Sequence, residues 1–205
     1  MLPIDYNLPG RNTSGRQVSG NQQKLAVLFA DISGSSALYE RLGDERALLL
    51  VEQCIGIMTG QLPAFQGVLV KVIGDEIMCT FPAAENAFHA ACAMQRAVEN
   101  GKSENGTPMH IRIGFHFGEV IRESGDVFGD TVNVAARVAA ITRASQIIVT
   151  QAVVDALPLA LRDMTRQLMR AEFKGKLAQF DIYMVIWAPD AKPWARIGSP
   201  AQRKP

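Results

Sequence analysis

The chain has 205 residues, 48% of them apolar, with 21 Lys and Arg against 20 Asp and Glu. That length suits one domain with a substantial buried core, and the near-balance of charge offers nothing to attract nucleic acid or an anionic membrane surface. No apolar run reaches the roughly 18 residues of a spanning helix, and the first residues lack a signal-peptide pattern, so the expected setting is the cytoplasm.

Residues 1–23 are polar and aperiodic, and read as a flexible N-terminal segment. Residues 25–30 are a short apolar run, a buried strand. Ser36 can cap a helical stretch whose inner face is Ala47, Val51, Cys54, Ile55 and Met58, with Gly67 at its end. Strands at 68–73 and 76–81 flank Gly74-Asp75, a hairpin signal. Pro82 opens a helix with Ala84, Ala87, Phe88, Ala91, Met94 and Val98 inward. Met109, Ile111, Ile113, Phe115 and Phe117 alternate with polar or small residues, the clearest strand pattern in the chain. A helix follows at about 131–141 with Val134, Val138 and Ile141 inward, then strands at 147–150 and 182–187, with Gly175 in the turn before the last. From Ala188 to the end the chain is a Pro-rich basic tail or linker. Cys54, Cys79 and Cys92 form no CxxC pair and lie inside apolar patterns, which reads as reduced packing residues. The order strand, helix, hairpin, helix, strand gives an α+β fold: a ferredoxin-like βαββαβ core over residues 24–187 with additional C-terminal strands and helices.

This plan gives two aspartates a common address. Asp31 ends the first strand and Asp75 begins the third, and these strands are neighbours in the fold, so both carboxylates reach one sheet edge. Carboxylates that close repel unless a proton or a cation lies between them, and oxygen-only ligation suits Mg²⁺ or Mn²⁺ held together with a substrate's phosphates. Taken singly, each aspartate reads first as a turn residue, and it is their convergence that brings metal binding level with that reading. The ISGSS run over 32–36, with Gly34 and Ser35, lets backbone N–H groups approach a phosphate at a helix start, although any strand-to-helix turn uses such residues. There is no GxxxxGK, nucleophile elbow, HExxH or dinucleotide glycine fingerprint. His110 and His116 share one strand face and read as surface positions.

FADISGS, KVIGDE and GDVFGDTVNVAAR, in this order and spacing, resemble the class III adenylyl and guanylyl cyclases over residues 24–187. The resemblance implies two Mg²⁺ or Mn²⁺ ions per site on Asp31, Asp75 and the Ile32 carbonyl. It implies that Lys71 and Asp126 read adenine, that Asn133 orients the ribose, and that Arg137 stabilises charge on the transferring phosphate. Gly34 and Ser35 would then lie against phosphate, and Lys174, in FKGK, would contact the terminal phosphates. It further implies conversion of ATP to 3′,5′-cyclic AMP in a homodimer, the aspartates coming from one subunit and the other groups from its partner. The residues' own chemistry agrees at two points. Asn133 and Arg137 are one helical turn apart on one face. An ammonium with a carboxylate matches adenine's acceptors and amino donor, whereas guanine would set a carbonyl against Asp126, leaving a mismatch of about 1–3 kcal/mol. Only GEVIRESG separates Phe117 from Asp126, a short arm for this family. A guanylyl cyclase is one alternative reading. A silent nucleotide-binding or dimerising domain is another, and it would be expected to lose an aspartate, Asn133 or Arg137. A regulatory or membrane domain attached in a longer parent protein, with this part on the inner face, completes the expectation.

Overall fold

A computed structural model describes residues 21–101, 108–172 and 179–188. At its centre lies β1 (Asn21–Ile32), buried from Leu25 onward. Its alternate residues feed two cores. Ala26, Leu28, Ala30 and Ile32 pack with residues of α2 (Asp44–Thr59) and α3 (Ala84–Asn100). Leu25, Val27 and Phe29 pack with Ala135 and Ala139 of α4 (Asp130–Ile141). A run of apolar residues buried on both faces is what a central strand requires.

β1 lies antiparallel between β3 (Glu76–Phe81) and β4 (Ile111–Glu123), and β2 (Val68–Ile73) closes one edge beyond β3. This is the expected ferredoxin-like core. Beyond β4 the sheet continues through β6 (Ile147–Thr150), β8 (Gln179–Val185) and β7 (Thr165–Glu172), while β5 (Asp126–Phe128) pairs back onto β4. The short helices α5 (Gln151–Ala156) and α6 (Leu159–Arg162) connect β6 to β7.

Several boundaries differ from the sequence reading, each for a local reason. The first helical stretch is two helices, α1 (Ser35–Leu42) and α2, broken at Gly43, whose φ of 78° and ψ of 164° a side chain would strain. Gly34, not Ser36, occupies the N-cap, with no side-chain cap. α3 begins at Ala84, two residues after Pro82. Residues 21–24 are polar but belong to β1, because their backbone groups pair with residues 119–122 of β4. Ile141 is 47% exposed, since α4 ends there, while Val134 and Val138 are fully buried. Trp187 lies beyond the last strand. Gly175 and Lys174 fall outside the described residues.

All three cysteines are buried, and burial pushes their thiols up to about 12, 12 and 11 for Cys54, Cys79 and Cys92. They are packing residues. By length and composition Asp44–Phe65 qualifies as a membrane span, with a mean hydropathy of 1.3. Its stripe Ala47, Leu50, Val51, Cys54 and Met58 is buried in this fold, while 28% of the apolar window as a whole is buried and Leu48 and Leu49 are exposed.

One packing detail sets the position of α4. A methyl group built on Gly114 of β4 would stand 2.3 Å from the backbone nitrogen of Ala139, and one on Gly118 would stand 2.5 Å from Thr131 Oγ1. The helix therefore lies directly on β4, and only glycine permits that approach.

Candidate active site

Glu76, Asp31 and Arg112 form a row across three adjacent strands, β3, β1 and β4, through the pairings Asp31↔Glu76 and Asp31↔Arg112. Asp75 lies in the turn just before Glu76, after Gly74 with its φ of 63°. The convergence expected of Asp31 and Asp75 is present, since their carboxyl groups come within hydrogen-bonding reach. Burial, and next the Asp75 charge, hold the Asp31 carboxyl above the usual carboxylate range. Arg112 opposes this: its Nε and Nη2 both approach Asp31 Oδ2 at 2.5 Å. Glu76 is pushed up to about 7, first by burial and then by Asp31, with Arg112 pulling the other way.

Crowded carboxylates that favour protonation are the condition a divalent cation relieves. The residues therefore fit Mg²⁺ or Mn²⁺. Among the described residues no group of three His, Cys, Asp or Glu is arranged to hold a metal ion. Asp31 and Asp75 would hold it with the Ile32 carbonyl, and the other ligands would be substrate oxygens and water. Beside them Gly34, with φ of 78°, precedes Ser35 at the start of α1, and the Ser33 hydroxyl is buried without a partner.

The groups expected to read the base lie together on β2 and β5, and they hold each other. Lys71 Nζ donates to Asp126 Oδ2 at 2.6 Å, and the Val127 N–H donates to Asp126 Oδ1 at 2.8 Å. Burial would raise the Asp126 carboxyl, but the Lys71 and Val127 hydrogen bonds and the Lys71 charge hold it below its ordinary value. On α4, Asn133 and Arg137 are both half-buried, and Arg137 Nη1 is buried with no hydrogen-bond partner. A dry, unsatisfied guanidinium nitrogen is costly unless an anion meets it. Among the described residues no hydrogen bond or ion pair joins Asp31 or Asp75 to Lys71, Asp126, Asn133 or Arg137. The candidate residues thus fall into two groups, Asp31 with Asp75 and Lys71 with Asp126, Asn133 and Arg137.

Two residues of the row escaped the sequence reading, Arg112 and Glu76. Arg112 occupies a polar position of the β4 alternation, and opposite charges are common across a ladder. With β4 set beside β1, Arg112 was the natural partner for Asp31. His110 and His116 are half-buried rather than free surface positions: His110 Nδ1 meets Ser145 Oγ at 3.1 Å in the turn before β6, and His116 Nδ1 meets Thr150 Oγ1 at 2.7 Å on β6, the strand paired beside β4.

The family described as the adenylate and guanylate cyclase catalytic domain matches residues 18–186. The chain belongs to that family. An adenylate cyclase of Streptomyces coelicolor is 36% identical over 135 residues, covering 66% of this chain and 34% of that protein. An adenylate cyclase of Anabaena cylindrica is 28% identical over 188 residues, covering 82% and 38%. The cyclase domain thus spans about a third of the length of these curated relatives, by the 34% and 38% shares. Among solved structures, an adenylate/guanylate cyclase/hydrolase of Silicibacter pomeroyi is 26% identical with a TM-score of 0.71, over 82% of this chain and 98% of that one. The catalytic core of a rhodopsin-guanylyl cyclase with converted specificity, in complex with ATPαS, matches in fold with a TM-score of 0.75 at 22% identity, over 81% and 97%.

Proposed function

We propose that this cyclase domain is an adenylyl cyclase that makes 3′,5′-cyclic AMP and pyrophosphate from ATP, in a homodimer whose sites are shared between chains. The observation that carries the reading is the pair of crowded carboxylates, Asp31 and Asp75, at one strand edge. The Lys71–Asp126 pair supports ATP as the nucleotide, since it presents a donor and an acceptor to the base. The division of the candidate residues into two groups that no hydrogen bond or ion pair joins, among the described residues, fits the dimer. So do the exposed apolar residues Val68, Leu69, Val72 and Phe128 around Lys71 and Asp126.

In the reaction the ribose 3′-oxygen bonds to the α-phosphorus, the bond from that phosphorus to the bridging oxygen breaks, and pyrophosphate leaves while the hydroxyl proton passes to solvent. Two Mg²⁺ or Mn²⁺ ions would supply Lewis acidity toward the hydroxyl and the triphosphate. Asp31, Asp75 and the Ile32 carbonyl at the end of β1 and in the neighbouring turn would hold them. Asn133 orients the ribose, and Arg137 of the same helix offers its unpaired nitrogen to the charge that develops at phosphorus. Backbone N–H groups at Gly34 and Ser35, and the Lys174 ammonium, bind phosphate oxygens. The domain works in the cytoplasm, or at the inner face of a membrane as part of a longer protein with a regulatory or membrane domain.

Turnover of ATP and GTP with Mn²⁺ tests the reading. ATP-dependent cyclic AMP formation is expected. Preference for GTP would make the protein a guanylyl cyclase, and no turnover of either would make it a silent nucleotide-binding or dimerising domain.

A further inference from the structure

We propose that Ser145 and Trp187 are positioning residues for the metal aspartates, an inference that rests on the cyclase reading above. The end of β1 is fastened to the start of β4 in three successive steps. Arg112 grips the Asp31 carboxylate, Ile32 pairs with Ile111, and the Ser33 N–H donates to the His110 carbonyl at 2.8 Å. The placement of Asp31 and of the residues after it is therefore inherited from residues 110–112.

Those residues are held by the turn that precedes β6. Ser145, in the left-handed region at φ 59°, commits each of its polar groups. Its N–H donates to the Ile111 carbonyl at 2.8 Å, its hydroxyl meets His110 Nδ1 at 3.1 Å, and its carbonyl accepts from Trp187 Nε1 at 3.1 Å. Fully buried Gln95 adds hydrogen bonds of 3.1 Å from Nε2 to the carbonyls of Ile111 and Gln146. A serine at positive φ costs about 1–2 kcal/mol, and such strain persists only where the surroundings over-determine it. The Trp187 indole, buried beyond the last strand, is one of those surroundings. Through its bond to the Ser145 carbonyl it holds the turn that fixes the rung beneath Asp31. Partners that orient a metal ligand directly are worth about 10–100-fold in affinity, so groups one step further out should be worth about 3–10-fold.

The test measures Mn²⁺ binding by electron paramagnetic resonance on the full chain without nucleotide. It also measures kcat, KM for ATP and half-saturating Mn²⁺. Trp187→Phe keeps the buried ring and removes the donor. Ser145→Gly keeps the left-handed backbone and removes the hydroxyl. Thr59→Val removes a local hydrogen bond within α2, to the Ile55 carbonyl, and serves as the control. Both test variants should weaken Mn²⁺ binding about 3–10-fold and lower kcat, with KM for ATP unchanged at saturating Mn²⁺. Thr59→Val should shift Tm alone. Mn²⁺ binding and kcat equal to the unmodified protein in folded Ser145→Gly would overturn the inference, whatever the folding of Trp187→Phe. Asp75→Asn separates the two levels. Retained Mn²⁺ affinity in that variant would overturn the metal reading itself, whereas loss there with no effect at Ser145 would remove only the positioning role.

Discussion

At the residue scale the site depends on charges kept in unfavourable surroundings. Asp75→Ala should leave the fold intact and abolish turnover in Mn²⁺; near-normal activity of the folded variant would contradict the metal assignment. Lys71→Glu should weaken ATP use strongly and move preference toward GTP, read from kcat/KM for the two nucleotides. Glu76 offers a test that needs no substrate. Folding raises its carboxyl from an ordinary 4.5 to about 7, so folding favours the protonated form. Its contribution to stability is complete below about pH 4.5 and is lost as pH rises to about 7. In EDTA, Glu76→Gln should therefore be more stable than the unmodified protein at pH 8, with the gap closing toward pH 4.5 in denaturant midpoints. A gap independent of pH would show that Glu76 is not so buried. Asp31 and Asp75 were legible because topology alone brings their strands together. Arg112 was not, since a single charge within an alternating strand gains meaning only when its cross-strand neighbour is known.

At the element scale, α4 carries Asn133 and Arg137, and its seat on β4 depends on Gly114. Gly114→Ala would force the helix backbone at Ala139 away from the strand. We expect a loss of about 1–3 kcal/mol in denaturant unfolding, together with a fall in kcat larger than the unfolded fraction explains. Unchanged kcat in the folded fraction would mean that Arg137 tolerates a displaced helix. The helix itself was legible from Val134 and Val138, and the hairpin from Gly74-Asp75. The break at Gly43 was not, because one glycine inside a helical pattern is also compatible with an unbroken helix. β7 was missed for a different reason: it is an edge strand with Leu168 and Met169 exposed, so no clean inside–outside alternation marks it. The polar start of β1 was equally silent, being held by ladder hydrogen bonds rather than by apolar burial.

At the scale of the whole molecule, the proposed sharing of sites between chains has a direct test. Asp75→Ala and Arg137→Ala should each be inactive alone. In a mixed dimer one site collects both defects and the other collects neither. Random pairing makes about half of the dimers mixed, so mixing should restore about a quarter of the unmutated activity, assayed after verified chain exchange. No recovery would mean that the site is complete within one chain. The exposed strip of β2, Val68, Leu69 and Val72 at the free edge of the sheet, then has a consequence for supply rather than for chemistry. While most chains are single, the number of competent pairs follows the square of their concentration, so doubling the protein should raise output about fourfold. Anything that gathers these chains, whether a neighbouring domain, a scaffold or simply more translation, would amplify the signal without touching the nucleotide.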